Sequence, residues 1–303
     1  MHQRTLTGLL ALGAAAALAL TGCSNSGDAN GENGENGGDK GTVTLGYLPA
    51  WTDGLSTAYL LEDQLGKMGY TVEMEELTEA GVLYAGLAGG DFDIYPSAWP
   101  EVTHADYMKQ FGDSIEDLGG YYDGAVLTLA VPEYVDIDSI EDLAGAADRF
   151  DGQIIGIEPG AGLTRQTQEV AMPEYGLDGD YELVTSSTAT MLATLQDKID
   201  REEDVVVTLW RPFWANDAFP LKDLKDPRGA MGEPETLHFL AKQGFSDEMP
   251  EVAEYIAQIK LDDEAYGALE SLVTGDEYAN DPQGAVDAWL KEYGDAYPGL
   301  ITD

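Results

Sequence analysis

Positive charge is scarce in this sequence: 15 lysines and arginines stand against 57 aspartates and glutamates, a formal net charge of −42. No basic patch exists to neutralise a phosphate backbone, which excludes nucleic acid as a partner. The excess reads as a solvated acidic surface of the kind carried by proteins adapted to salt, and secondarily as a field that attracts cationic solutes. Cysteine is almost absent as well. With one residue, Cys23, no disulfide can form within the chain, and the core must stabilise the fold alone.

Catalytic and metal-binding signatures are also missing. The sequence holds no His-Glu-x-x-His, no Gly-x-Ser-x-Gly, no paired cysteines and no Walker loop. Only His104 and His238 follow the first 22 residues, and neither has a nucleophile with an obvious partner beside it. Asp136 to Asp142 is acidic but lacks the Gly and terminal Glu of an EF-hand loop. Arg165 stands where the third glycine of a dinucleotide fingerprint would follow Gly160-Ala161-Gly162. We therefore expect no enzyme, no metal and no cofactor.

The N-terminus assigns a compartment. Arg4 and the run Leu9 to Leu20 match the charged and apolar regions of a signal peptide, and the run is too short to span a bilayer. It ends in Leu20-Thr21-Gly22-Cys23, which looks like a lipobox. The expectation is a signal peptide over 1–22, lipidation at Cys23, and a location on the extracytoplasmic face of the cell membrane (the periplasmic side where an outer membrane exists). Residues 23–41 are rich in Ser, Asn, Gly, Asp and Glu. Such a stretch buries nothing and reads as a tether reaching roughly 20–25 Å. No later segment is apolar for long enough to cross a membrane.

From Thr42 onward strand and helix patterns alternate, which is the rhythm of an α/β fold. Strands are expected over Val43–Leu48, Tyr70–Met74 and Phe92–Tyr95, with helices over Leu55–Met68 and Ala80–Leu87 between them. The strand Val126–Val131 meets Pro132 and then the capping-box pattern Ser139-Ile140-Glu141-Asp142, which starts a helix. A second unit places strands at Ile154–Ile157, Tyr181–Val184 and Val205–Leu209, and helices at Gln166–Tyr175 and Thr190–Ile199. His238–Lys242 returns the chain, and helices fill Met249–Ile259, Asp263–Val273 and Gly284–Tyr293. The expected architecture is two lobes, each a mostly parallel sheet flanked by helices. Lobe 1 takes 42–130 and 238–303, lobe 2 takes 131–237, and a ligand cleft lies between them.

Three of the five tryptophans stand just past predicted strands. Trp51 follows the first strand, Trp99 the third, and Trp210 the strand Val205–Leu209, at the sheet edge where α/β proteins bind ligands. Trp214 and Trp289 fall inside helical patterns and read as packing. A cage of indoles suits one chemical class. A trimethylammonium group has no N–H to donate and cannot lose its charge, whereas an indole face attracts it at roughly 0.5–2 kcal/mol once water is excluded. The loop Gly160-Ala161-Gly162-Leu163-Thr164 follows a strand and opens a helix, so its free N–H groups can seat an anion. His104, five residues after Trp99, reaches the same cleft. A cation and a carboxylate joined by one methylene describe glycine betaine.

These residues resemble the glycine betaine-binding proteins of ABC importers from Thr42 to about Tyr293. The resemblance rests on Ala50-Trp51, on Ser97-Ala98-Trp99-Pro100-x-x-Thr103-His104, on Ile155-Gly156-Ile157-Glu158-Pro159-Gly160-Ala161-Gly162, and on Val205 to Trp210 followed by x-Pro212-x-Trp214. It implies a two-lobe periplasmic-binding-protein fold, type II-like, that closes around the solute. It implies that Trp51, Trp99 and Trp210 form a prism around the ammonium, and that Gly162 and Leu163 N–H groups and the His104 ring N–H hold the carboxylate. The implied partners are the permease and ATPase subunits of the importer. Two positions depart from the pattern. Relatives often carry an acid directly after the first cage tryptophan, where this chain has Thr52 and then Asp53, and Leu209 stands where a glycine often precedes the third. The nearest rival is a choline- or carnitine-binding protein of the same class, and the rival from another class is a lipid-anchored surface hydrolase.

Overall fold

The computed structural model describes residues 40–302. The expected signal peptide 1–22, the lipidation site Cys23 and all but the last two residues of the tether 23–41 lie outside these residues. None of the described helices is long and apolar enough to cross a membrane.

Nine strands form the sheet: β1 (Thr42–Tyr47), β2 (Thr71–Glu76), β3 (Ile94–Ala98), β4 (Ile115–Pro132), β5 (Gln153–Ile155), β6 (Glu182–Val184), β7 (Val207–Arg211), β8 (Leu221–Asp223) and β9 (Glu235–Lys242). The order is β2-β1-β3-β9-β4-β7-β5-β6, with β8 on β4. Strands β2, β1 and β3 run parallel at one end, and β7, β5 and β6 run parallel at the other. Between them β9 is antiparallel to β3 and β4, and β4 is antiparallel to β7. Each lobe is thus a mixed sheet, where the alternating pattern predicts mostly parallel ones. The parallel triplets come from βαβ units, and the antiparallel strands carry the chain between the lobes.

The crossover is one long strand. Ile115 to Ala125 of β4 pairs with β9, and Val126 to Ala130 pairs with β7. The sheets therefore divide at Ala125/Val126, five residues ahead of the expected boundary at 130, and Glu235 to Leu237 pair in the first sheet. Sequence patterning predicts only the second half, Val126–Val131. The first half, Ile-Glu-Asp-Leu-Gly-Gly-Tyr-Tyr-Asp-Gly, is broken by register shifts between Asp117/Gly119, Gly120/Tyr122 and Asp123/Ala125. Gly119 (φ +110°) and Gly124 (φ +100°) take a left-handed backbone that other residues rarely adopt. Each bulge resets the two-residue alternation on which strand recognition depends.

Helices flank both ends. Helix α1 (Thr52–Lys67) buries Leu60, Leu61 and Leu65 and packs on the helices Asp263–Thr274 and Pro282–Tyr293. The capping box at Ser139 forms, but it starts only the short 3-10 turn Ile140–Leu143. The helix expected over Gln166–Tyr175 begins earlier, as an α-turn Gly162–Arg165, a π-turn Gln166–Ala171 and a final turn Met172–Glu174. Trp289 is fully buried, donates its indole N–H to the Ala265 carbonyl at 2.7 Å and stacks against Tyr293.

Removing that side chain leaves a large cavity and an orphaned carbonyl. Trp289→Ala is expected to lower unfolding free energy by about 3–5 kcal/mol, measured by denaturant titration. A loss below about 1 kcal/mol contradicts this packing.

Candidate functional site

The tops of β1, β3 and β5, the middle of β4 and the end of β7 converge on one pocket. Trp51, Asp53, Trp99, Thr103, His104, Leu127, Ile157, Ala161, Gly162, Leu163 and Trp210 line it, around about 320 Å³ of space that opens in part to solvent. All six residues singled out from the sequence as the ligand site stand here together. The lining is mainly apolar, with few polar groups, so a charge that enters leaves water behind.

Trp51 is half-buried at the N-cap of α1, just past β1, where its backbone N–H meets the Leu48 carbonyl at 3.0 Å. Its indole N–H reaches Glu158 of lobe 2 at 3.4 Å. Trp99 is buried directly after β3, and its indole N–H donates to Asp53 Oδ2 at 3.2 Å. The Ser97 hydroxyl donates to the same oxygen at 2.7 Å. Trp210 lies within β7, opposite Leu127 of β4, with the Phe213 ring stacked 3.9 Å away. Each indole is thus oriented by a different means: an interlobe hydrogen bond, a buried carboxylate and a stacked ring.

His104 is 2% exposed. Its Nδ1 accepts the Trp99 backbone N–H at 3.1 Å, and the Trp99 carbonyl accepts the His104 N–H at 2.8 Å. Burial, and then the charge of Arg165, push its pKa down to about 3. The ring is neutral, and because Nδ1 accepts, its one proton sits on Nε2. Among the described residues no acceptor pairs with that N–H. The loop that carries the ring is held from behind. Glu235 of β9 accepts the Val102 N–H at 2.7 Å, the Thr103 N–H at 3.0 Å and the Thr103 hydroxyl. Parallel to the ring, with centroids 5.9 Å apart, lies Trp51.

Gly162 and Leu163 open the helical run that starts at Ala161, so their N–H groups precede the first intrahelical bond. Gly162 comes from lobe 2 and lies against Thr103 of lobe 1. A Cβ on Gly162 would run into the Thr103 carbonyl oxygen. Other contacts cross the lobes nearby. The Tyr107 hydroxyl donates to the Gly160 carbonyl at 2.7 Å, and the Arg165 guanidinium donates to the Val102 carbonyl at 3.0 Å and pairs with Asp106 at 3.3 Å.

The sequence marks Asp53 only as a departure from the pattern after the first tryptophan, since an acid in the first turn of a helix is favoured by the helix dipole alone. The structure places it in the pocket lining. It is 3% exposed, and burial raises its pKa above the usual carboxylate range, against the hydrogen bonds from Ser97 and Trp99. The other histidine among the described residues, His238, stands apart on β9, bonded to Asp117 at 2.9 Å. No group of metal ligands forms among the described residues.

A family model described as the substrate binding domain of ABC-type glycine betaine transport systems matches residues 41–292. A glycine betaine/carnitine transport binding protein of Listeria monocytogenes is 32% identical over 158 residues, which cover 51% of this chain and 49% of that relative. The match thus spans about half the length of that relative. Among solved structures, the glycine betaine/L-proline-binding protein of an ABC transporter from Borrelia burgdorferi superposes with a TM-score of 0.77 at 29% identity, covering 86% of this chain and 96% of the other. A lactococcal protein in its closed-liganded conformation, complexed with glycine betaine, gives 0.77 at 28% identity, covering 84% and 97%.

Two substitutions separate cage from closure. Trp99→Ala removes one face and is expected to weaken glycine betaine binding at least about tenfold in a calorimetric titration. An unchanged affinity would remove Trp99 from the cage. Gly162→Ala leaves lobe 2 free to fold but sets a methyl group against Thr103. Its melting temperature should stay near wild type while affinity falls at least about tenfold. Wild-type affinity in this variant contradicts the close approach of the lobes.

Proposed function

The chain belongs to the family of substrate binding domains of ABC-type glycine betaine transport systems, and we propose that it captures glycine betaine on the extracytoplasmic face of the membrane for an importer. In this reading Trp51, Trp99 and Trp210 surround the trimethylammonium group, and His104 Nε2–H with the Gly162 and Leu163 N–H groups hold the carboxylate. Cys23 carries the lipid anchor, residues 23–41 form the tether, and the permease and ATPase subunits of the importer are the protein partners.

The observation that carries the proposal is the pairing of two kinds of group in one pocket: the indoles of Trp51, Trp99 and Trp210, and the donors of His104, Gly162 and Leu163. The indoles offer π-faces. The histidine among the donors has its tautomer and its neutrality fixed. A group with a permanent charge and no N–H suits the indoles, and an anion suits the donors. Three indole faces supply several kcal/mol, a large share of the roughly 8 kcal/mol that a micromolar affinity requires. Capture without chemical change accords with the matched family, which is described as a substrate binding domain of a transport system.

Choline is the second reading, favoured by one observation. Asp53 places a buried carboxyl beside the cage with no cationic side chain as its partner, which suits a ligand of net positive charge. Choline, however, leaves the donors at the other end facing a hydroxyl. Charge-assisted hydrogen bonds lost there are worth roughly 1.5–3 kcal/mol each.

The test is a titration of the protein with glycine betaine and with choline, followed by tryptophan fluorescence and repeated with His104→Ala. Wild type should prefer glycine betaine, and the substitution should weaken glycine betaine about tenfold or more while affecting choline much less. Equal losses for both ligands would make His104 structural, and a preference for choline would move the proposal to the second reading.

A further inference from the structure

Two carboxyl groups are buried around the first turn of α1, and among the described residues neither has a cationic side chain as its partner. Asp53 belongs to the pocket. Glu270 does not line it: it sits on the helix Asp263–Thr274, is 2% exposed and accepts the Thr52 hydroxyl. The backbone N–H of Trp214, in the lobe 2 segment that follows Trp210, also favours its charged form. Glu270 therefore joins the helix Asp263–Thr274 to Thr52, the residue between Trp51 and Asp53.

The groups around Glu270 disfavour a second negative charge. Asp53 of α1 and Asp217 of the Trp214 segment repel it. Tyr266 on its own helix and Tyr122 on β4 are phenols whose pKa is raised, so they stay neutral. Arg211 borders the same groove as Glu270 but is held by Asp223 at 2.6 Å. Two carboxyls coupled in dry surroundings titrate as a pair, and the first proton lost makes the second harder to lose. Burial is the main cause that lifts Glu270 to about 8, and it raises Asp53 as well.

A quaternary ammonium brings a permanent positive charge to this pair and carries no N–H proton of its own. We propose that Glu270 is a positioning residue of the binding site, and that the buried carboxyls Glu270 and Asp53 release a proton to solvent when the ammonium ion is captured. The inference rests on the functional reading above. The proton passes from the carboxyl pair to buffer as the ligand cation enters. The carboxylate left behind accepts more strongly from Thr52, the residue next to Trp51. Proton loss thereby tightens the hold of the helix Asp263–Thr274 on the first turn of α1.

The direction of the pH effect follows. A group whose pKa is about 8 in the free protein and lower beside a cation makes affinity rise with pH below that value and level off above it. Each unit of displacement is about tenfold. His104, at about 3, stays neutral throughout this window. The pKa of His238 is raised by its bond to Asp117, but it lies outside the pocket and serves as the control.

The experiment is calorimetry of glycine betaine binding at about pH 7.5 in two buffers of unlike ionisation enthalpy, with affinities measured from about pH 6 to about pH 9. Wild type should release protons and bind at least about threefold more tightly at the upper limit. Glu270→Gln should bind saturably with neither release nor pH slope, and His238→Gln should keep both. Thr52→Val leaves the carboxyl in place but removes a donor to its charged form, so the midpoint should move upward. A wild-type protein that binds without proton release and with a flat profile overturns the inference and leaves the functional reading standing. Release that persists in Glu270→Gln overturns the assignment to Glu270. No saturable response to glycine betaine at any pH overturns the functional reading, and this inference with it.

Discussion

The hydrogen bond from the Trp99 N–H to His104 Nδ1, at 3.1 Å, leaves the imidazole a single proton on Nε2, and burial prevents it from taking another. A histidine that could protonate or change tautomer would offer a ligand a different pattern of donors at each pH. Here the pattern is constant because the turn Trp99–His104 closes on itself and Glu235 anchors its far side through Val102 and Thr103. The same turn fixes Trp99. Trp99 and His104 therefore share one short segment, and a shift in that segment moves both pocket residues together.

Solvent exclusion gives these groups their strength. Cation–π attraction and charge-assisted hydrogen bonds both weaken where water competes. The pocket lies where the two sheets meet along β4, and Leu127 of that strand lines it opposite Trp210 in the ladder. Gly162 against Thr103, Tyr107 on Gly160 and Arg165 on Val102 bring the lobes into contact at its edge. Most of the chain's acids are exposed to solvent, where their charge is screened. Among the described residues Asp53, Glu235 and Glu270 are the buried exceptions; they accept from Ser97 and Trp99, from Val102 and Thr103, and from Thr52 respectively.

Much of this was legible in the sequence, for physical reasons that can be named. Trp51 and Trp99 follow short apolar strands that end in Pro-containing turns, and the parallel arrangement of β1 and β3 places both at one edge. Trp210 was found by the same rule, although β7 runs past it to Arg211. The long strand β4 was half hidden, because its bulges reset the alternation at Gly119 and Gly124. Asp53 showed in the sequence only as an acid one place later after Trp51 than the pattern has it, with no role assigned. Glu270 left a signal that went unread: with Tyr266, Leu269 and Val273 it falls on the buried stripe of its helix, where an acid breaks the pattern. No spacing rule could connect it to Thr52, which is 218 residues away.

The central claim is that one pocket grips the two ends of a zwitterion by different chemistry, and a crystal structure of the protein grown with glycine betaine tests it most directly. The account predicts the trimethylammonium group against the faces of Trp51, Trp99 and Trp210, with the carboxylate oxygens on His104 Nε2 and the Gly162 and Leu163 N–H groups. A ligand bound elsewhere, or one with its carboxylate turned toward Asp53 and the indoles, would contradict it.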